Sequence, residues 1–407
     1  MPRRSFHVDE EGQTVVLVGI VLLALLFAVG LAIDSGQLFT GKRSAQEAAD
    51  AGAFAGAAVL FQGGTVAQAV AAAAGDVRLN GYAADVPTQS TTVTVNDPPV
   101  SGAYAGNGLC VEVIVASPVR TALVPQQASF TNVRARGVGC SVSVNNGDAV
   151  IALDQACTPG ALNVSPQGQL EVAGGNIQIN SCSATAGSNS GNLNLHAPYV
   201  TDVVGNVNGP GWNARIGRSV TPDPFAGLAR PSTNGVPSQV ASCLRTNQPG
   251  IYTAGFTSNC DYQLAAGTYI LAGGGVSLAG NSSLTGAGVM FYLTNANYPA
   301  AGGACATMAL NGNNHTQLSA PTSGTYSGML IWQDVACSGM MSIGGNGQID
   351  GIGSIYVPGA TIQGQGSNAQ VTCSQIVAKN FDVQSAHFHV TYSSGSTYQG
   401  RRPALVE

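Results

Sequence analysis

The sequence predicts an N-terminal transmembrane helix that extends into an α-helical stalk, followed by a small α+β module and a mainly β C-terminal domain. Three features of the sequence predict this order: a charge-free apolar run, an alanine-rich stretch after it, and short apolar runs separated by glycine and asparagine. The β domain is predicted to be an irregular right-handed β-solenoid, with a β-sandwich as the alternative. The predicted boundaries are a cytoplasmic N-terminus at 1–14, the transmembrane helix at 15–33, the stalk at 34–64, the α+β module at 65–145 and the glycine-rich β domain at 146–400.

The composition favours repetitive β-structure over disorder. Only 9% of the 407 residues are charged, and 54 are glycine, whereas an average globular protein is about 25% charged. Disordered chains are poor in apolar runs, but here glycines separate many such runs. The formal net charge is −5, and no long basic cluster is present to displace counterions from phosphates. We therefore expect no nucleic-acid partner.

The cysteine pattern indicates an oxidising compartment. The chain has nine cysteines, none in a CxxC pair, so disulfides are favoured over a zinc or thioredoxin-like site. Cys157 with Cys182 and Cys243 with Cys260 are close enough in sequence to be candidate pairs. Because nine is odd, at least one thiol is free or bonded to another chain.

The apolar run from Val15 to Ile33 holds 19 residues without a charge. At about 1.5 Å per residue, a helix of that length just spans a hydrocarbon core of about 30 Å. Basic residues at its two ends nearly balance, so the orientation rests on the cysteines: N-terminus cytoplasmic, C-terminal domain periplasmic or extracellular. A cleaved signal peptide is the alternative, but its apolar region is usually 7–15 residues long. We predict a retained single-pass anchor.

The stretch after Asp34 is rich in alanine and lacks proline, so the helix is expected to continue. Ala48, Gly52 and Gly56 recur at every fourth position and form a stripe of small residues, which allows another helix to approach closely. One interpretation is a homo-oligomer formed through this stripe. The other is that the stripe packs within its own domain.

A charge-free apolar helix, then D-x-G, then basic residues, then A-Q-x-A-A-D-A resembles the N-terminus of TadG-like proteins of the bacterial tight-adherence (Flp) pilus assembly system. The matching positions are Gly12, Asp34, Gly36, Lys42, Arg43, Gln46, Ala48, Ala49, Asp50, Ala51 and Gly56. The resemblance implies an inner-membrane protein whose partners are the membrane and other proteins of this machinery. Processed pseudopilins of the system carry a glutamate five residues after a cleavage-site glycine. Here that position is Leu17, so an unprocessed anchor is favoured over a pilin subunit.

Three strand-like runs between 91 and 140 follow a second short helical pattern at 65–80 and predict the α+β module.

In the β domain a weak motif ending in Gly-Asn or Gly-Gln recurs, and an apolar run follows each copy. Glycine and asparagine suit corners that need positive φ, and 170–182 is a candidate first turn of the coil. Residues 288–294 and 318–328 also resemble TadG-like sequences. The four copies of the motif lie at 277–281, 309–313, 342–346 and 361–365, and the apolar runs begin at 289, 329, 354 and 375.

No motif predicts an active site, a cofactor site or a metal site. The apolar run ending at Asp154 has Ala156 and Thr158 where a von Willebrand A domain has two metal-holding hydroxyls, so that metal site is rejected. Polysaccharide-cleaving solenoids need paired carboxylates or an acid with a basic partner. Between 246 and 378 there is no Lys or Arg, and the only acids, which are far apart in sequence, are Asp261, Asp334 and Asp350.

His387 and His389 lie two residues apart, so both would face one side of a strand. This arrangement suits a metal site, but such a site needs a third ligand such as Asp382 or His196. A pair of ordinary surface histidines is the simpler interpretation. We therefore expect a non-enzymatic assembly component of the pilus or its secretion machine. The alternative is a surface adhesin or glycan-binding protein, because the β domain is rich in polar residues.

Overall fold

The computed structural model describes residues 11–62, 64–83, 91–121, 130–143, 147–257 and 259–407. The chain divides into two compact units, Met1–Val142 with Arg401–Glu407 and Ser143–Gly400. Within the described residues, both helices lie in unit 1, and unit 2 is built from strands. The coarse prediction, a long apolar N-terminal helix followed by a mostly β region, is confirmed.

One continuous helix, α1 (Glu11–Phe61), holds both the predicted transmembrane segment and the predicted stalk. Its 51 residues contain no proline and many alanines, which favours an unbroken helix. A second helix, α2 (Val66–Leu79), begins with a capping box in which Thr65 and Gln68 satisfy each other's backbone N–H groups. The helical pattern predicted at 65–80 is therefore present.

Unit 1 also contains a four-stranded sheet in the order β1, β2, β3, β29. Strands β2 and β3 pair antiparallel with Cys110 opposite Cys140, and these two form a disulfide. The last strand comes from the C-terminus of the chain, so residues 401–407 return to unit 1, which the sequence did not predict. The bounds are β1 (Thr92–Asn96), β2 (Cys110–Arg120), β3 (Phe130–Ser143) and β29 (Arg401–Leu405).

Unit 2 consists of short strands in one 17-stranded and one 8-stranded sheet. The 17-stranded sheet contains β4 (Asp148–Ala152), β5 (Leu162–Val164), β7 (Asn176–Ile179), β8 (Gly187–Asn189), β10 (Thr201–Val203), β11 (Val207–Asn208), β12 (Ala214–Arg215), β13 (Ser238–Gln239), β14 (Gly250–Tyr252), β16 (Gly267–Ala272), β17 (Val276–Leu278), β19 (Val289–Thr294), β20 (Met308–Leu310), β22 (Met329–Gln333), β23 (Met341–Gly344), β25 (Ser354–Gln365) and β27 (Gln375–Val383). The 8-stranded sheet contains β6 (Gln169–Ala173), β9 (Asn192–Leu195), β15 (Tyr262–Leu264), β18 (Ser283–Gly286), β21 (His315–Ser319), β24 (Gln348–Ile352), β26 (Gln370–Cys373) and β28 (His387–Thr391).

Strands of unit 2 pair in parallel, and the chain enters and leaves this stack near its middle. In the 8-stranded sheet the spatial order is β15, β18, β21, β24, β26, β28, β6, β9. The last strand in sequence, β28, therefore pairs with the first, β6, and β27 likewise pairs with β4. A β-sandwich of antiparallel sheets does not fit this pairing. No sheet in the described residues closes on itself, and a right-handed solenoid stays a prediction.

The repeated motif marks turns of the stack. Gly280, Gly312 and Gly345 all have positive φ, as predicted for corner glycines. The first three motifs end in Asn281, Asn313 and Asn346. Asn313 donates a side-chain hydrogen bond to Asn281, Asn346 donates one to Asn313, and Asn368 extends this ladder by donating to Asn346. The fourth motif, 361–365, lies inside β25 instead, so it is not equivalent to the other three.

Disulfides brace both units. The two predicted pairs, Cys157–Cys182 and Cys243–Cys260, are confirmed. Cys305–Cys337 adds a third bond within unit 2. The unpaired ninth cysteine is Cys373, which is buried, and burial raises the pKa of its thiol. This thiol is therefore poorly reactive.

Candidate functional site on the N-terminal helix

The first half of α1 carries large apolar side chains on its surface. From Val15 to Ile33 they are exposed, with Leu23 67% accessible. Within the described residues this is the one helix that is long and apolar enough to cross a membrane. Exposure of a continuous apolar surface in water is costly, so this surface is suited to lipid.

The second half of α1 carries small residues that are buried against the sheet of unit 1. Ala45, Ala49 and Ala53 are fully buried with the valines of β2. On the sheet side, Gly139 of β3 lies so close that an added Cβ would stand 2.2 Å from the Ala53 carbonyl oxygen. An added Cβ on Gly137 would stand 2.8 Å from the Ala49 carbonyl oxygen. Small residues on both surfaces allow backbone-to-backbone packing.

The predicted oligomerisation stripe is part of this internal contact. Ala48, Gly52 and Gly56 are all buried. A Cβ on Gly52 would meet Val77 of α2 at 2.5 Å, and one on Gly56 would meet Val111 of β2 at 3.0 Å. The prediction of a homo-oligomer through these three residues is corrected, because the surface is already filled by the protein's own helix and strand. Packing within its own domain, the other interpretation, is what the structure has.

Polar residues at four-residue spacing fix the same half of α1 to β3. Lys42 donates from Nζ to the carbonyl of Arg134. Gln46 donates from Nε2 to the carbonyl of Arg136 at 2.7 Å and to Oδ1 of Asp50 at 2.7 Å. Burial raises the pKa of Asp50, and the hydrogen bond from Gln46 opposes this. Lys42 and Gln46, two of the positions that carry the TadG resemblance, therefore dock the helix onto its sheet, and Asp50 accepts a hydrogen bond from Gln46 within the helix.

The other positions of the resemblance lie along the same helix. Arg43 makes an exposed ion pair with Glu47 at 3.0 Å. Asp34 is fully buried although its neighbours in the helix are exposed. Gly12 and Gly36 also lie within α1. Among the residues that the structure describes, none outside the helix has an atom within 4 Å of a Cβ added to Gly36.

A buried ion pair lies inside the sheet that receives the helix. Arg136 donates from Nε to Oε1 of Glu112 at 2.6 Å and also pairs with Glu407 of the C-terminus. Burial alone raises the pKa of Glu112, but hydrogen bonds from Arg136, Asn96, Ser101 and the Val100 N–H together lower it to about 2. The carboxylate is therefore ionised at neutral pH, and Arg136 links it on β2 to Glu407 near the C-terminus.

Comparison with known proteins identifies a domain that covers α1. The family model described as Flp pilus-assembly TadE/G-like matches residues 12–59. The chain carries a TadE/G-like domain. No curated protein and no solved structure matches the chain. The TadE/G-like match covers nearly the whole of α1, including both the exposed apolar half and the docked half.

The acids weighed as catalytic or metal-binding groups in unit 2 have separate structural roles. Asp154 accepts the N–H of Ala156 at 3.0 Å and caps a turn. Asp334 is buried and pairs with Arg230 at 3.1 Å. Asp261 accepts two hydrogen bonds from Ser283. None of these hydrogen bonds links one of these carboxylates to another, and Asp350 lies elsewhere on β24.

The histidines weighed as metal ligands converge on a residue that sequence reasoning missed. His389 Nδ1 lies 3.0 Å from Oε2 of Glu171, and His196 Nε2 lies 2.8 Å from Oε1 of the same carboxylate. Asp382, the other suggested ligand, instead accepts hydrogen bonds from Asn163 and other amides. The alternation in LEVAGG places Glu171 on an outward strand position, but only the pairing of distant strands puts it beside His389.

Proposed function

We propose that this protein is a membrane-anchored structural or assembly component of a Tad (Flp) type pilus or secretion machine. The observation that carries the proposal is the TadE/G-like match over α1, together with the division of that helix into an exposed apolar half and a docked half. The apolar half holds the protein in the inner membrane. The docked half connects the membrane segment to the sheet of unit 1 through one unbroken helix.

The orientation of the chain in the membrane is inferred from its disulfides. Four disulfides brace the residues beyond the membrane helix, and disulfides persist in oxidising compartments. The N-terminus is therefore cytoplasmic and unit 2 is periplasmic or extracellular. Unit 2 acts as a β-solenoid that offers a rigid surface to other proteins of the machine, with no catalytic role.

A surface adhesin or glycan-binding protein is the second candidate, and one feature of unit 2 favours it. A surface groove of about 560 Å³ is lined mainly by hydroxyl and amide side chains and small residues. Asn163, Ser188 and Asn380 are among them. Amides and hydroxyls are groups that hydrogen-bond to sugars.

Pilus assembly in cells lacking this chain separates the candidates. An assembly component is required for surface pili, so deletion should abolish them and the full chain should restore them. A matched variant replaces residues 1–33 with a cleavable export signal, which releases the rest of the chain in soluble form. We expect no restoration by this variant.

Two results would favour the adhesin instead. One is a normal number of pili in the deletion strain with a loss of attachment to surfaces or glycans. The other is full restoration of function by the released chain. Either result contradicts an anchored assembly role.

A further inference from the structure

Three strands of unit 2 bring imidazoles and a carboxylate together on one surface. Strands β28, β6 and β9 are neighbours, with His389 opposite Glu171 and Glu171 opposite Asn194. Alternate residues of a strand face the same side, so His387 also lies on this outer side while Phe388 points into the core. His196 follows β9 on the same outer side. The group defined by Glu171, His196, His387 and His389 is called here the histidine cluster.

The distances in the histidine cluster are those of a ligand set. Oε2 of Glu171 lies 3.0 Å from Nδ1 of His389 and 3.9 Å from Nε2 of His387. The three donor atoms lie within 4.8 Å of one another. In a tetrahedral site with metal–nitrogen bonds of about 2.0–2.1 Å, two ligand atoms stand about 3.3 Å apart. Small rotations of the side chains are enough to reach that separation.

We propose that Glu171, His387 and His389 bind a divalent transition-metal ion such as Zn²⁺, and that His196 orients the carboxylate of Glu171. Two imidazoles and a carboxylate suit Zn²⁺, Cu²⁺ or Ni²⁺, whereas Ca²⁺ and Mg²⁺ prefer all-oxygen sites. His196 Nε2 already contacts Oε1 of Glu171, which leaves Oε2 for the metal. A water molecule completes four-fold coordination.

The surroundings agree with an ion-binding role. The side chains of His387 and His389 are 40% and 35% exposed, which leaves the donor atoms open to an incoming ion. The chain has five histidines in 407 residues, and three of them meet at this one carboxylate.

The position of the cluster gives the metal a structural role. Glu171 and His389 are 218 residues apart in sequence, and they face each other where β28, the last strand of the 8-stranded sheet in sequence, pairs with β6, the first. An ion bound there joins an early and a late strand of unit 2. Because binding to the folded state stabilises it, metal should raise the unfolding temperature of unit 2.

Zinc titration of the full chain, without a polyhistidine tag, in detergent and after chelator treatment tests the proposal. Isothermal titration calorimetry should show one saturable Zn²⁺ site per chain, and Ca²⁺ at the same concentration should not compete. His387→Ala and His389→Ala should each weaken binding at least tenfold. His196→Ala should weaken it about tenfold, as expected for a residue that orients a ligand. Zn²⁺ should raise the unfolding temperature only in chains that keep the site.

His315→Ala is the matched control. His315 lies on β21 in the same sheet, and its register row runs through Gln348 and Gln370 to His387. This variant should bind Zn²⁺ as the unchanged chain does. Absence of a saturable site, or a site that survives both His387→Ala and His389→Ala, overturns the proposal. Circular dichroism spectra without metal that match the unchanged chain show that the variants are folded.

Discussion

The two halves of α1 belong to one uninterrupted helix but are built for different surroundings. Between Val15 and Ile33 the side chains are large, apolar and exposed. Between Ala45 and Ala57 the residues that face α2 and the sheet of unit 1 are small and buried, among them Ala45, Ala49 and Ala53. Both halves are helical, so secondary structure alone does not decide what each half contacts. Side-chain size does, because large apolar groups suit lipid, whereas small ones let a backbone approach a sheet.

The largest expected effect comes from placing a charge in the apolar half. Leu23→Arg puts a guanidinium near the centre of the membrane segment and should disfavour insertion by about 3 kcal/mol. The fraction of the chain that resists carbonate extraction from membranes measures this. Leu79→Arg is the control, since Leu79 is also exposed, at 83%, but lies on α2. Equal losses in the two variants would mean that the apolar half is not in lipid.

In the docked half of α1, the stability of unit 1 should depend on the volume of the residues between the helix and β3. Gly139→Ala adds a Cβ that would stand 2.2 Å from the Ala53 carbonyl oxygen, and such overpacking should destabilise unit 1 by about 2–3 kcal/mol. Hydrogen exchange of the β2 and β3 amides measures the loss. Gly108→Ala is the matched control, because no atom of the described residues lies within 4 Å of its added Cβ. A Gly139→Ala chain as stable as the control would show that α1 is not packed closely on β3.

The ion pair between Arg136 and Glu112 should make the stability of unit 1 depend on pH. Glu112 has its pKa lowered from 4.5 to about 2 in the folded state. Its contribution to stability is therefore fully present above pH 4.5 and is lost as the pH falls from about 4.5 towards 2. Glu112→Gln should lower the unfolding free energy of unit 1 by about 2 kcal/mol at pH 7. In this variant the unfolding free energy should also depend less on pH over that range.

Glu47→Gln is the control for this pH profile. Glu47 makes an exposed i,i+4 ion pair with Arg43, and such pairs contribute about 0.3–0.5 kcal/mol. Its profile should follow that of the unchanged chain. An unaltered slope below pH 4.5 in the Glu112→Gln chain would assign the acid sensitivity to other groups.

The smallest effect is expected from a single docking hydrogen bond. Gln46→Ala removes the bonds to the Arg136 carbonyl and to Asp50 and should destabilise unit 1 by about 1 kcal/mol. Gln37→Ala, at an exposed position on the same helix, should leave the stability unchanged. Chemical unfolding of both variants in detergent provides the comparison. Equal stability of the two variants would mean that Gln46 does not help to dock the helix.

Local sequence patterns were sufficient where a feature depends on neighbouring residues. The apolar run, the alanine-rich continuation and the corner glycines Gly280, Gly312 and Gly345 are all readable from composition and spacing. The Cys157–Cys182 and Cys243–Cys260 pairs also join residues that are close in sequence. The TadE/G-like domain was predicted correctly for the same reason, since its motif is contiguous.

Features that depend on distant contacts could not be predicted. The small-residue stripe is compatible with a partner helix or with a sheet, and only the position of Gly137 and Gly139 decides between them. The pairing of β28 with β6 brings Glu171 to His389 from the other end of the unit 2 chain. No spacing rule carries that information, so the histidine cluster was visible only as a pair of histidines.

The most direct test of the account is a measurement of the medium that surrounds each half of α1. Leu26→Cys and Phe54→Cys each add one reactive thiol, because eight native cysteines are in disulfides and Cys373 is buried. A nitroxide attached to each thiol in lipid nanodiscs reports collisions with dissolved oxygen, which concentrates in lipid, and with a water-soluble nickel chelate. The account predicts that the label at 26 meets oxygen preferentially and the label at 54 meets the nickel chelate. Equal access of the nickel chelate to both labels would contradict it.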